Sequence, residues 1–306
     1  MPEALLIGCK GQDGSYLSQL LSENGYSVTG IGRSFDVTNT TEVRRLVAHT
    51  QPAEIYYLAA FHHSSEDPPV DDNELIATSL AVNTIGLNAV LGAVVSESPA
   101  SRLFYAGSSR MFGDPATSIQ NEDTPYRPAC AYGISKTAGA EICSYYRRAR
   151  HVFATTGILY NHESPLRPPK FISRKIVRAA VSIARGSRQK LVVGNLDSRV
   201  DWGYAPDYTR AMWRILQLEQ PSDFVIGTGI LHSVRDFLQI AFAELKLDWQ
   251  EHVTQNASSL TLKSPNATLC ADSSKLRART GWRPEVDFHQ MVRLMLAAEQ
   301  HSQSQP

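Results

Sequence analysis

The segment at residues 3–32, EALLIGCKGQDGSYLSQLLSENGYSVTGIG, constrains the fold more than any other part of this chain. EALLIG is a short apolar strand and GCKGQDG a glycine turn. SYLSQLLSENG carries apolar residues at helical spacing and ends at Gly25, a suitable helix C-cap. YSVTGIG reads as a second strand. Strand, turn, helix and returning strand form the opening unit of a doubly wound parallel sheet. Gly8, Gly11 and Gly14 give G-x-x-G-x-x-G directly after the strand and directly before the helix. Glycines at that place let the backbone turn tightly and approach a pyrophosphate seated on the helix N-terminus. The pattern therefore predicts a dinucleotide, against the plainer alternative of an ordinary glycine turn.

The alternation continues. TNTTEVRRLVAHTQ reads as a helix, EIYYLAA as a strand, and LIATSLAVNTIGLNAVLGAVVSE as a long helix. RLFYAG is a strand, AYGISKTAGAEICSYYRRAR a helix, and VFATTGILY a strand. Strands separated by helices argue for a parallel sheet covered on both faces. After about residue 165 the rhythm loosens. LRPPKFISRKIVRAAVSIARG gives a Pro-rich loop and a basic helix, and KLVVGN is a short strand. DYTRAMWRILQLEQ is a helix, DFVIGTG a strand, SVRDFLQIAFAEL a helix, and ATLCADSSKLRARTGWRP a strand with a short helix. HSQSQP reads as a frayed end. The expected fold class is α/β: a Rossmann-type doubly wound parallel sheet with a smaller mixed C-terminal substrate domain.

Charge and composition remove several classes. Thirty basic residues balance thirty acidic ones, so nothing asks for nucleic acid or an anionic membrane. No uninterrupted apolar run approaches the roughly 18–20 residues that cross a bilayer, and the N-terminus lacks a signal peptide's basic and apolar regions. Cys9, Cys130, Cys143 and Cys270 show neither CxxC spacing nor a dense framework, and read as reduced thiols in a cytoplasmic protein. No metal-ligand cluster is apparent.

Two further elements bear on chemistry. The second strand ends at GIGRS, where a carboxylate would hold the ribose 2′-hydroxyl of NAD. Arg33 stands there instead and suits the 2′-phosphate of NADP, with NAD as the alternative. Asp36 is either an acceptor for the adenine amine or a turn aspartate. Tyr132 and Lys136 form Y-x-x-x-K and share a helix face. A neighbouring ammonium favours phenolate, so the expectation is a tyrosine of lowered pKa that exchanges a proton with a sugar hydroxyl or ketone. Lys136 is also placed to bond the nicotinamide ribose.

With these residues in view, the chain resembles the extended short-chain dehydrogenase/reductases that modify nucleotide sugars, in the branch of the GDP-mannose 4,6-dehydratases. The likeness is carried by GxxGQDGSYL at 8–17, YGISK at 132–136, GILYNHESP at 157–165, FISRKI at 171–176 and GNLDSRVDWG at 194–203. DFVIGTG at 223–229, HSVRDF at 232–237 and GWRP at 281–284 extend it. The resemblance implies that residues 1–165 form the NAD(P)-binding domain, with strand returns from about 192–230, and that 166–306 mainly bind the nucleotide sugar. It implies that Gly8, Gly11, Gln12, Asp13, Gly14, Arg33, Asp36, Val37, Leu58, Ala59, Ala60, Leu159 and His162 line the cofactor. Tyr132 and Lys136 would do the proton work with Ser108, whose neighbours Ser109 and Arg110 complete the catalytic stretch. His62, Asn161, Lys175, Asn195 and Arg199 would join Ser108 on the substrate side. A homodimer through the long helix near 75–97 and the YGISK helix is also implied.

The chain departs from that pattern in three ways. Arg110 stands where the dehydratases carry glutamate. The arginine of their RDW element is Val200, beside Arg199, and their Arg-Pro-x-Glu grip on guanine reads Ser264-Pro265-Asn266-Ala267. The long loop after the second strand is missing. A 4,6-dehydratase oxidises C4, moves a proton from C5 as water leaves C6, and returns hydride to C6. The middle step needs a group that accepts and donates a proton; an arginine, with a pKa above about 12, offers no lone pair for it. Hydride transfer at C4 needs only the cofactor, Tyr132, Lys136 and Ser108. Three readings stay open: a C4 reductase or epimerase, a dehydratase with a substituted acid–base group such as His62, and a non-catalytic NADP-binding homologue. If Arg174 or Lys175 of the basic helix faces substrate, either would neutralise the diphosphate.

Overall fold

A computed structural model of the chain describes residues 1–64, 67–256 and 268–302. The first half runs β1 (Glu3–Ile7), α1 (Gln12–Glu23), β2 (Ser27–Ile31), α2 (Thr40–Thr50), β3 (Glu54–Tyr57), α3 (Asp72–Leu80), α4 (Gly86–Glu97), β4 (Arg102–Ala106), β5 (Ile119–Gln120), α5 (Ala131–Arg150) and β6 (Phe153–Leu159). It continues with β7 (Asn161–Glu163), α6 (Ile172–Ala184), β8 (Leu191–Val193), β9 (Arg199–Tyr204), α7 (Ala205–Leu216), β10 (Phe224–Ile226), β11 (Leu231–Ser233) and α8 (Val234–Ala243). The chain ends with α9 (Trp249–His252), β12 (Val253–Gln255), β13 (Cys270–Ala271), α10 (Ser274–Thr280) and α11 (Phe288–Ser302).

Among the described residues the main sheet has the order β10-β6-β4-β3-β1-β2, with every pairing parallel. The side-chain period of two sends Leu5, Ile7, Ile55, Tyr57, Leu103 and Tyr105 into one core, with α2, α4 and α5. It sends Ala4, Leu6, Tyr56 and Phe104 into another, with α1, α7 and α10. Burial on both faces explains the nearly continuous apolar runs of these strands. A third core gathers α6, α8 and α11 around Trp202 and Phe288.

Strand β2 is the edge of the sheet, and only the few residues from Arg33 to Asn39 lie between it and α2. Several expectations need correcting. Of the strands expected to return from 192–230, β10 joins the sheet, while β8 pairs with β12 in a separate ribbon. Helix α1 begins at Gln12, inside the stretch read as turn. Helix α11 was not foreseen; it ends at Ser302, and residues 303–306 lie outside the described residues. The helix over Asp72–Glu97 is long and apolar enough to cross a membrane by length and composition, and the sequence reading had not credited it with that. Much of it is packed into the protein instead.

That helix is interrupted by a π-helical turn at Ala81–Ile85. Such a turn shifts the carbonyls away from their usual partners. Tyr57 donates to the Val82 carbonyl at 2.5 Å and Tyr105 to that of Asn83 at 2.9 Å. Gly86 lets the helix come down on Tyr57 and Val37: a Cβ there would lie 2.4 Å from the Tyr57 hydroxyl and 2.6 Å from Val37 Cγ2. Gly86→Ala should therefore overpack the core and lower stability by about 1–3 kcal/mol. Urea unfolding tests this, and a loss below about 0.5 kcal/mol, the scale of an ordinary surface change, would contradict the packing account.

Candidate active site

The C-terminal ends of β1, β3, β4 and β6 converge on the crevice where the strand order reverses, the usual ligand position in such sheets. The glycine loop is built there by close backbone approach. Gly8 has φ of +101°, and a Cβ on it would lie 2.7 Å from Ala59 N. A Cβ on Gly14 would lie 2.5 Å from Gly8 O. Gly11 is the N-cap of α1 and brings no side-chain acceptor, so the first amides of the helix are left to an anion. These residues fit a pyrophosphate. Leu58 and Ala59 lie against the loop, and Leu58 N donates to Ile7 O. Ala60 is exposed, Val37 is buried under Gly86, and Leu159 is buried at the end of β6.

Behind the loop, Gln12 and Asp13 reach across to β7. Gln12 Nε2 donates to the His162 carbonyl at 3.1 Å, and Ser164 Oγ donates to Gln12 Oε1 at 2.8 Å. His162 Nε2 lies 3.0 Å from both Asp13 carboxylate oxygens, and Nδ1 lies 2.7 Å from the Tyr160 carbonyl. Both ring nitrogens thus face acceptors, which suits an imidazolium. Burial opposes that charge, but the Asp13 carboxylate outweighs it and the His162 pKa is raised. Asp13 is lowered: burial acts against its charge, and His162 overcomes it. The imidazole also stacks on Tyr208 at 4.6 Å.

Tyr132 stands on the first turn of α5, and two glycines set that helix close to its supports. A Cβ on Gly133 would lie 2.6 Å from the Arg110 carbonyl, and one on Gly139 would lie 2.3 Å from the Tyr105 hydroxyl. The first approach brings Tyr132 near Ser108, whose hydroxyl acts to lower the Tyr132 pKa. The second lets Lys136 reach the Ala106 carbonyl at 2.8 Å, with its Nζ 5.6 Å from the centre of the Tyr132 ring. Ser109 lies buried in the short turn beyond Ser108.

The expectation of an acidified phenol is overturned. Burial pushes Tyr132 up to about 12, and the Arg167 guanidinium only partly offsets that. Burial likewise lowers Lys136 to about 7, against the opposing pull of Asp13. Desolvation disfavours the charged form of each residue. At neutral pH the pocket holds a neutral phenol.

Arg110 is exposed, and among the described residues its guanidinium makes no hydrogen bond or ion pair. His62 lies much closer to the centre: its ring meets the Tyr132 ring edge-on at 4.9 Å and the Phe171 ring at 5.7 Å. Asn161 is exposed at the start of β7, and Lys175 is on the first turn of α6. Asn195 Oδ1 accepts from Asp197 N in a turn. Arg33 is exposed just beyond β2. Asp36 Oδ1 is engaged by the amide and hydroxyl of Thr38, as the turn reading expects.

Arg174 and Arg199 lie on different elements. Arg174 is bound to the buried Glu299 of α11 at 2.8 Å, because the amphipathic face of α6 turns it toward that core. Arg199 lies on the opposite face of β9 from Val200: Val200 pairs with His232 toward the third core, and Arg199 pairs with Ser233. It therefore does not take over the position of residue 200. Residues 264–267, the altered guanine grip, lie outside the described residues.

Three residues were missed. Arg167 lies 3.8 Å over the Phe171 ring, pairs with Glu163 at 3.2 Å, and acts on Tyr132, Asp13 and His162. Its position four residues after a buried acid was the available signal. Lys10 runs its stem along Gly32, 3.5 Å from where a Cβ would be, and so stands near Arg33. Asn83 is fully buried and bonds both backbone groups of Phe61 and Ser135 Oγ. An asparagine inside an apolar helix pattern was its signal.

A doubly wound sheet with Tyr132, Lys136 and Ser108 gathered at its crevice defines an extended short-chain dehydrogenase/reductase. The comparisons narrow this: the GDP-mannose 4,6 dehydratase family model matches residues 33–295, and the chain belongs to that family. GDP-mannose 4,6 dehydratase 1 of Arabidopsis thaliana is 34% identical over 322 residues, covering 96% of this chain and 88% of the relative. Among solved structures, RMD from Pseudomonas aeruginosa complexed with NADPH superimposes with a TM-score of 0.86 at 18% identity, covering 99% of this chain and all of that one. dTDP-glucose 4,6-dehydratase from Bacillus anthracis in complex with NAD gives 0.83 at 15%, covering 100% of this chain and 98% of that one. These last two likenesses speak to the fold.

The lowered Lys136 pKa has a measurable consequence. Between about 7 and the ordinary lysine value of about 10.4, the unfolded chain holds a proton that the folded one does not. Raising pH through that window therefore favours the native state. Lys136→Met should flatten this rise, as read by urea unfolding at pH 7.5, 8.5 and 9.5. An unchanged pH slope in the variant would contradict the assignment.

Proposed function

We propose that this chain is an NADP-dependent enzyme acting by hydride transfer at C4 of a GDP-hexose or 4-keto-hexose, as a reductase or epimerase. The observation that carries this reading is the assembly of Tyr132, Ser108 and Lys136 in one buried place while Arg110, at the family's acid–base position, is an exposed guanidinium. A bound nicotinamide dinucleotide would supply and accept the hydride. Tyr132, held neutral by burial, is suited to donate its proton to a C4 carbonyl oxygen; oxidation of a C4 hydroxyl requires its phenolate, which burial disfavours. Ser108 orients the same oxygen, and Lys136 lies beside the ring, 5.6 Å from its centre.

The remaining assignments follow from this reading. Lys10 and Arg33, two cations near the end of β2, favour NADP over NAD. The phosphate-fitting loop supports residues 1–165 as the cofactor domain, leaving 166–306 mainly to the nucleotide sugar. Asn161, Lys175 and Asn195 then belong to the substrate side. A cytoplasmic location agrees with four free cysteines. Exposed apolar side chains on α3, α5 and the π turn, Ile76, Ile134, Tyr145 and Ile85, support a homodimer along that face.

Incubation with GDP-mannose and catalytic NADP tests the reaction. The expected product is a C4-altered GDP-sugar, and Tyr132→Phe should lower turnover by about 10²–10⁴. A 4-keto-6-deoxy product without net cofactor use would sink the reading. For the dimer, light scattering should give twice the chain mass for the native protein and a single chain mass for Tyr145→Arg; a monomeric native protein would refute it.

A further inference from the structure

We propose that His162 is a positioning residue for the dinucleotide: its imidazolium neutralises Asp13 behind the glycine loop, so that the cofactor is held tightly only while the ring is protonated. The inference rests on the cofactor part of the reading above and not on the reaction at C4. One ring nitrogen meets both Asp13 carboxylate oxygens at 3.0 Å, and the other meets the Tyr160 carbonyl at 2.7 Å. The ring stacks on Tyr208 at 4.6 Å. Neither nitrogen is left for a ligand, so any influence of the imidazole on the cofactor passes through Asp13.

Asp13 stands in the first turn of α1, which Gly11 caps without a side-chain acceptor. The amides of that turn are where a pyrophosphate would be held. A carboxylate and a diphosphate there draw on the same positive helix end, and each disfavours the other. The imidazolium removes that conflict by cancelling the carboxylate charge from the side of β7. The same contact steadies the loop. Gln12 Nε2 donates to the His162 carbonyl at 3.1 Å, and Ser164 Oγ donates to Gln12 Oε1 at 2.8 Å. Residues 12 and 13 are thus both tied to β7 or to the residue that follows it.

The other charged and titratable groups around the pair do not replace the imidazolium. Arg167 acts on both partners, but Glu163 holds it at 3.2 Å. Lys136 feels Asp13 from α5, but burial lowers it to about 7, so it too loses charge as pH rises. Tyr132 and Tyr208 are phenols that burial keeps neutral. Burial opposes the His162 charge, the Asp13 carboxylate outweighs it, and the imidazole therefore titrates above the ordinary histidine value of about 6.5. As pH climbs through that raised value, the ring gives up its proton. Its single remaining N–H serves Asp13 or Tyr160 but not both, and the Asp13 charge is no longer cancelled. Dinucleotide affinity should fall.

The test titrates the native protein with NADPH, followed by its fluorescence, from pH 6.5 to 9.5. His162→Gln should bind about tenfold more weakly at pH 6.5, the scale of one charge at a helix end, and the gap should close as pH rises. Titration of Lys136 and of the cofactor phosphate is common to both proteins and cancels in their ratio. Adding Asp13→Asn to His162→Gln should restore the affinity, because the conflicting charge is gone; a merely structural clip would lose more. In the native protein, NADPH should raise the His162 pKa, read by NMR at ring Cε1, because linkage is reciprocal. Where the double variant fails to fold, this NMR shift decides. If the ratio of native to His162→Gln affinity is constant across pH, if a folded double variant regains nothing, or if NADPH leaves the His162 pKa unmoved, His162 has no such role and the cofactor reading stands. If NADPH binds at no pH, both fall.

Discussion

The site depends on how closely α5 can lie on the end of β4. Side chains at 133 and 139 would hold the helix away from the Arg110 carbonyl and the Tyr105 hydroxyl. With glycine at both, one turn of the helix delivers Tyr132 to Ser108 and the next delivers Lys136 to the Ala106 carbonyl. The same support runs deeper. Tyr105 and Tyr57 bind carbonyls released by the π turn, and Asn83 in that turn binds both Ser135 on α5 and the backbone beside His62. A helix distortion, two buried tyrosines and one asparagine thus fix three reactive side chains with respect to one another.

Packing this tight has an electrostatic cost. Burial raises Tyr132 and lowers Lys136, so the two do not act as an ammonium beside a phenolate. The charged pair of the region lies one step away, where Asp13 and His162 join the glycine loop to β7. That pair persists because each ring nitrogen of His162 has an acceptor and Gln12 and Ser164 fix the surrounding backbone and amide. A buried ion pair with its hydrogen bonds met is far less costly than one missing a partner. The arrangement keeps fixed charge behind the loop and a neutral proton donor at the mouth.

How much of this the sequence revealed follows the strength of local pattern. The glycine loop, the parallel strands and all of α5 were legible because period two, period 3.6 and glycine punctuation are local signals. The strands β7, β9 and β11 were not read as strands, being three to six residues long and paired only with one another. Tyr132 and Lys136 were found from spacing, but their pKa directions were misjudged, since spacing carries the pair attraction and says nothing of desolvation. Arg174 was legible as a cation; only the packing of α11 reveals that Glu299 holds it. Arg167 and Asn83 escaped because their roles arise from contacts with segments distant in sequence.

The departures from the family pattern fall where the scaffold can absorb them. The short chain between Arg33 and Asn39 follows β2, the edge strand of the main sheet, where no further pairing depends on it. Val200 points into the third core beside His232, where an apolar side chain is accommodated at little cost. Arg110 is the exposed residue of an otherwise buried short turn, so its charge stays solvated. Each change alters what reaches the crevice from its rim. None disturbs the α5–β4 contact that positions Tyr132, Ser108 and Lys136. A chain built this way can change what lines the rim of its crevice while the arrangement of Tyr132, Ser108 and Lys136 stays fixed by backbone packing.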